Sequence, residues 1–99
     1  MKQDIKQEYI NIINKQLSQF VEIHKVIIFG SFISAKKPND IDIAIIQNSN
    51  NNFLTLSLKY RKVLRDLAKQ IPLDIVPLKE NSKGTFMEEI IKGIIIYER

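Results

Sequence analysis

A strand that carries two carboxylates on one face cannot be an ordinary core strand, and this chain holds one. Asn39-Asp-Ile-Asp-Ile-Ala-Ile-Ile46 sets Asp40 and Asp42 among Ile41, Ile43, Ala44, Ile45 and Ile46. In a strand, residues i and i+2 leave the same face, about 6–7 Å apart along the chain. Both carboxylates therefore leave one face of a segment whose other residues belong in a core. So placed, they repel each other and resist desolvation. A divalent cation resolves that conflict, because it brings the missing positive charge to oxygen ligands. The stretch before it, Lys25-Val-Ile-Ile-Phe-Gly-Ser31, is an apolar run closed by Gly30. It reads as a buried strand ending in a tight turn. Ser31 follows, where a hydroxyl and successive backbone N–H groups can face an anion, although the same residue serves equally well as a helix N-cap that needs no ligand.

The rest of the chain alternates helix and strand. Ile5, Tyr9, Ile12, Ile13, Leu17 and Phe20 recur at helical spacing, which predicts an amphipathic helix over 3–20. Ile10 lies off that stripe, at a partner contact or on the flank of the core. A strand over 25–29 follows from β-branching, then one helical turn over 31–35, a polar loop through Lys36, Lys37, Pro38 and Asn39, and a strand over 40–46. Gln47 to Asn52 is a low-complexity loop that separates the two halves of the chain. Leu54, Leu58, Arg61, Leu64, Leu67 and Ala68 predict the packed side of a helix over 53–70, with Lys59, Lys62, Arg65, Asp66 and Lys69 largely on its wet side. A strand over 73–78 is bounded by Pro72 and Pro77. A helix over 85–92 carries Phe86, Ile90 and Ile91 and ends near Gly93, before a last strand over 94–97. There is no internal repeat. The alternation predicts an α/β (α+β) fold, a small mixed sheet with helices packed against it, as one domain over 1–99.

Composition narrows the chemistry. With no cysteine and only His24, thiolate and histidine-cluster metal sites are excluded. Any metal is held by carboxylates, which suits Mg²⁺, Mn²⁺ or Ca²⁺ rather than structural zinc. His24 itself reads as a surface or strand-edge residue rather than a catalytic one. The amino-terminal segment has no apolar signal core and no run is long enough to span a bilayer, so the expectation is a cytoplasmic protein without a membrane partner. The formal charge of +4 invites a nucleic-acid reading. Twelve of the fifteen basic residues are lysines that form no dense block, in a chain heavy in the other residues of A/T-rich codons, so the charge is discounted.

Gly30-Ser31, a loop, then Asp40-Ile41-Asp42, and later Leu73-Asp74-Ile75-Val76, resemble the signature of the DNA polymerase β-like nucleotidyltransferase superfamily. The match is strongest to its smallest branch, the minimal nucleotidyltransferases (MNT), antitoxins encoded beside HEPN-domain toxins. The segment Phe86 to Glu98 is similar to the family's closing helix and strand. The resemblance implies that Asp40, Asp42 and Asp74 hold Mg²⁺, with Mn²⁺ as substitute, and that Asp74 also assists deprotonation of the acceptor. It implies that Gly30, Ser31 and a lysine of the loop, Lys37 or Lys36, meet the phosphates of ATP. It further implies transfer of AMP to a HEPN-type toxin. Since sheet and helices use nearly every residue, the acceptor hydroxyl is expected to come from a docked macromolecule.

Two departures favour a rival, a module that neutralises its partner by binding alone. Eight residues separate Ser31 from Asp40, at the short end of the family's spacing, and Phe32 stands where many MNT proteins have an arginine. A small RNA- or nucleotide-binding domain is a third reading, supported only by charge.

Overall fold

The computed structural model describes the backbone of all 99 residues and the side chains of all but Thr85 and Phe86. The expected core role of Phe86 lies outside the described side chains. The chain runs α1 (Gln3–Leu17), β1 (Ile23–Phe29), α2 (Ser31–Ser34), β2 (Ile41–Gln47), α3 (Phe53–Val63), α4 (Arg65–Ala68), β3 (Leu73–Leu78), α5 (Thr85–Ile91) and β4 (Ile94–Glu98). Four strands form one sheet in the order β3-β2-β1-β4. β1 is antiparallel to both β2 and β4, whereas β2 and β3 are parallel. The parallel pair requires a crossover, and α3–α4 supplies it.

Strand alternation divides the core. Val26, Ile28, Ile41, Ile43, Ile45 and Ile75 face α1, α3 and α4, where they meet Ile13, Leu17, Leu56, Tyr60, Leu64 and Leu67. Ile27, Phe29, Ala44 and Ile46 occupy the other face, closed by Ile90 of α5 with Val76, Leu78 and Met87 around it. Ile41, Ile43 and Ile45 are fully buried, and truncating any one of them to alanine would cost about 2–5 kcal/mol. Among the described residues, no helix is long and apolar enough to cross a membrane.

Three expectations are corrected. First, α1 ends at Leu17, because the Ser18 N–H closes on the Asn14 carbonyl and the chain then turns through Phe20. Phe20 instead packs edge-on against Tyr60, with ring centroids 5.4 Å apart. Second, the helix expected over 53–70 is interrupted at Leu64, whose φ of −103° and ψ of 12° leave the helical region. Third, its buried side is Leu56, Tyr60, Leu64 and Leu67, while Leu54 and Leu58 are 67% and 60% exposed. Leu54, Leu58, Arg61 and Arg65 form a second stripe at helical spacing on the opposite side. Two stripes carrying leucines at helical spacing make periodicity ambiguous, and the sheet chose the one containing Tyr60. Ile10 flanks the core, one of the two places expected for it.

Two polar devices tie the layers together. Tyr60 Oη donates to Glu22 Oε2 at 2.9 Å and Lys59 Nζ donates to the same oxygen at 2.8 Å, while Lys59 lies 4.7 Å from the Phe20 ring centroid. Burial works against the charge of Glu22, but these donors outweigh it and hold the carboxyl below its ordinary range. Lys6, only 8% exposed, donates from Nζ to the Ala35 carbonyl at 2.8 Å and lies 5.5 Å from the Phe32 ring centroid. It fastens the segment that follows α2 to the underside of α1.

Candidate active site

β1, β2 and β3 meet at one end of the sheet. Antiparallel pairing sets Phe29 opposite Asp42, and parallel pairing sets Asp42 beside Asp74. Neighbouring strands lie about 4.7–4.9 Å apart, so register alone brings these two carboxylates together on the face that α5 covers farther along. Asp42 is half-buried and Asp74 exposed. Asp40 immediately precedes β2, which begins at Ile41 rather than at the expected residue 40. Burial raises the Asp42 carboxyl above its ordinary range, and the negative charges of Asp40 and Asp74 push it further. The cluster is thus three carboxylates within electrostatic reach of one another. Among the described residues, no group of three or more carboxylate or imidazole side chains converges into a ready-made metal cage.

The turn after β1 is built against Asp42. Gly30 has φ of 76° and ψ of −155°, a region essentially restricted to glycine. A Cβ added there would stand 2.3 Å from Asp42 Oδ2. Gly30 occupies the cap position of α2, and Ser31 is its first residue; no side chain caps the turn. The N-cap alternative for Ser31 therefore falls away, leaving its hydroxyl exposed. Beside the turn lies a cleft of about 300 Å³ lined by Gly30, Ile33, Ser34, Glu89 and Lys92.

Lys92 was not a sequence candidate. It lies near the end of α5, 4.0 Å from Glu89, and folding alone brings it to the turn. Gly93 makes that approach possible, because a Cβ on it would stand 2.5 Å from the Ile28 carbonyl oxygen. Lys36 and Lys37 are exposed on the loop before Asp40, and neither lines this cleft. His24 faces Glu80 at 4.0 Å. It is six residues up β1 from Gly30, about 20 Å away along an extended strand.

A stability consequence follows from Asp42. Its carboxyl binds a proton more tightly in the folded protein than in the unfolded chain. The folded state is therefore progressively penalised as pH rises from below the ordinary carboxylate range through the raised value. Asp42→Asn removes that penalty. Without divalent cations, the variant is expected to melt above the parent at pH 7, with the gap closing as the buffer is taken to acid pH. Calorimetry across that range checks this; a variant less stable than the parent at pH 7 contradicts the assigned repulsion.

The chain matches the family model described as polymerase beta, nucleotidyltransferase, over residues 11–99. No curated protein sequence matches it. Among solved structures, it is similar to a chain of the complex between a tri-AMPylated Shewanella oneidensis HEPN toxin and its MNT antitoxin. That likeness has a TM-score of 0.72 at 20% identity, covering 95% of this chain and 73% of the other. A protein assigned to the nucleotidyltransferases from Sulfolobus solfataricus superposes with a TM-score of 0.67 at 18% identity, covering 97% and 82%. A toxin–antitoxin complex with AMP-PNP gives 0.64 at 16% identity, covering 95% and 73%. At these identities the likeness is one of fold.

Proposed function

The chain belongs to the polymerase β-type nucleotidyltransferase family, and on that premise we propose that it transfers AMP from ATP to a hydroxyl of a HEPN-type partner protein, as its antitoxin. The observation that supports this most is the pairing of Asp42 with Asp74 across two parallel strands, against a Gly30 turn with no room for a Cβ. The AMPylated toxin in the complex of similar fold supports this choice of reaction and partner class.

The donor set fits a hard divalent cation, because the burial and neighbouring negative charges that disfavour the Asp42 carboxylate are offset by positive charge. Asp40, Asp42 and Asp74 would hold Mg²⁺ or Mn²⁺. When bound, such a cation neutralises phosphate charge and acidifies the acceptor hydroxyl. The remaining work falls to this chain's own groups. Gly30 lets backbone approach a phosphate, and the Ser31 hydroxyl donates to it. Lys92 from the cleft, with Lys37 and Lys36 from the loop, offsets triphosphate charge. In the transfer, the acceptor oxygen bonds to the α-phosphorus, the α–β bridging bond breaks and pyrophosphate leaves. The acceptor proton passes to Asp74. Phosphoryl-type transfer is mostly positioning and electrostatics, so few further groups are required.

A second reading keeps the partner and drops the catalysis. Phe32, which stands where the family resemblance leads one to expect arginine, is 2% exposed and packed in the core, so α2 brings no guanidinium to a triphosphate. Thermal shift tests the site. A ligand that binds only the folded state at a hundredfold its Kd stabilises by about 2.7 kcal/mol, which is about 10 °C or more for a domain of this size. Mg²⁺ or Mn²⁺ with ATP is expected to give such a shift, and Asp42→Asn to remove it. An unchanged shift in the variant would reject the site.

A further inference from the structure

The outer stripe of α3 and α4 continues into a groove on the far side of β3. Leu58, Ala68, Leu73 and Ile75 form its aliphatic floor, and Arg61, Lys62 and Arg65 its rim, around a volume of about 360 Å³. Leu54 extends the stripe one turn beyond Leu58, and both leucines are mostly exposed. From Leu54 to Arg61 the stripe runs seven residues along α3, about 10 Å at the rise of a helix, and Arg65 continues it at the start of α4.

The rim is unbalanced. None of its three cations makes an ion pair among the described residues; Arg61 only reaches the Leu73 carbonyl at 3.5 Å. The one acid on α4, Asp66, is fully in solvent and pairs outward with Lys69 at 3.8 Å. Two of the chain's three arginines sit here. Arginine offers a planar fork that engages carboxylates bidentately and is more weakly hydrated than lysine, which is why it is enriched in protein interfaces.

We infer that this groove docks an acidic amphipathic helix of the partner protein, with apolar side chains on the floor and carboxylates on the rim. A helix lying along the stripe would use anchors at i, i+3 or i+4, and i+7, matching the spacing of Leu54, Leu58, Arg61 and Arg65. Nucleic acid fits less well, because an aliphatic floor lacks the aromatic platforms on which bases stack. The placement also bears on function. β3 is an edge strand, and Leu73 and Ile75 face the groove while Asp74 between them faces the carboxylate cluster. A partner held in the groove need only pass around that edge to reach the acceptor position. The inference rests on the reading of this chain as a protein that docks a partner, and is independent of the transfer step.

The test uses the intact chain and labelled peptides of about eighteen residues, read by fluorescence anisotropy. One is an amphipathic helix with a leucine stripe flanked by glutamates; the others are its scramble and its lysine-for-glutamate counterpart. The acidic amphipathic peptide is expected to bind at least about tenfold tighter than either control, tenfold being about 1.4 kcal/mol, and to weaken with salt. Arg61→Glu/Arg65→Glu should cost at least tenfold, and Leu58→Gln should weaken binding with little change in salt dependence. All three positions are exposed, and the thermal shift with Mg²⁺ and ATP should match the parent in every variant. Equal binding of scramble and amphipathic peptides, or charge-reversal variants that bind as the parent does, would overturn the inference. So would tighter binding of single-stranded RNA than of the acidic peptide, lost on charge reversal. Peptide binding without any nucleotide-dependent shift in the parent would sink the transferase and leave the groove standing.

Discussion

Gly30→Ala is expected to disable the site more thoroughly than its effect on stability alone suggests. The backbone at Gly30, φ 76° and ψ −155°, is one that a residue with a side chain rarely adopts, and holding alanine there costs about 1–3 kcal/mol. In a domain of this size that lowers Tm by roughly 4–8 °C per kcal/mol. The added methyl also stands 2.3 Å from Asp42 Oδ2, with the next Asp42 atom, Cγ, at 3.3 Å. Because the terminal oxygen is what clashes, the carboxylate swings away and the fold survives. The variant should therefore remain folded yet lose its thermal response to Mg²⁺ or Mn²⁺ with ATP. Gly84→Ala is the control. Gly84 also has a positive φ, 122°, but nothing lies within 4 Å of its added Cβ. It should lower Tm and leave the ligand response intact. Loss of response in both variants would mean that destabilisation, rather than displacement of Asp42, is being read.

Much of this arrangement was legible because the local signals were strong. Val26 to Phe29 and Ile41 to Ile46 are runs in which β-branching and burial agree, and both are strands. Asp42 stood out because nothing in an apolar strand calls for a carboxylate, and the structure sets it against Asp74 by register. Gly30 was readable as a turn; that its missing Cβ makes room for Asp42 was not, since residues twelve apart in sequence meet only after β1 and β2 pair. Strand order was not legible, because alternation of helix and strand is compatible with several orders; β3-β2-β1-β4 emerges only from the pairing in the fold.

The misses share a cause. Each depends on which of two locally equivalent choices the tertiary structure selects. Leu54 and Leu58 looked like core by spacing, yet Leu56, Tyr60, Leu64 and Leu67 satisfy helical spacing as well and bring a hydroxyl to Glu22. Lys6 carried no signal of burial in the sequence, but α1 turns it inward onto the Ala35 carbonyl. Lys92 sat in a helix with no motif around it, and only the close approach at Gly93 brings it beside Gly30.

The transfer reaction makes the largest demand on the carboxylates. Asp40→Asn and Asp74→Asn each keep the size of the side chain and remove its charge. Each is expected to reduce transfer on the order of 10²–10³-fold or more, the loss that follows removal of one preorganised electrostatic group. Neither substitution should weaken docking, since the groove residues Leu73 and Ile75 face away from the cluster. On the proposed function, single substitutions should therefore separate transfer from binding.

Intact-mass spectrometry of the co-expressed HEPN-type partner, purified and incubated with this chain, Mg²⁺ and ATP, addresses the central claim most directly. One or more adenylyl increments on the partner with the parent chain, and none with Asp40→Asn or Asp74→Asn although both still co-purify with it, is the predicted result. An unmodified partner that the parent and both variants nevertheless neutralise equally would contradict it, and would make this nucleotidyltransferase fold a binding module.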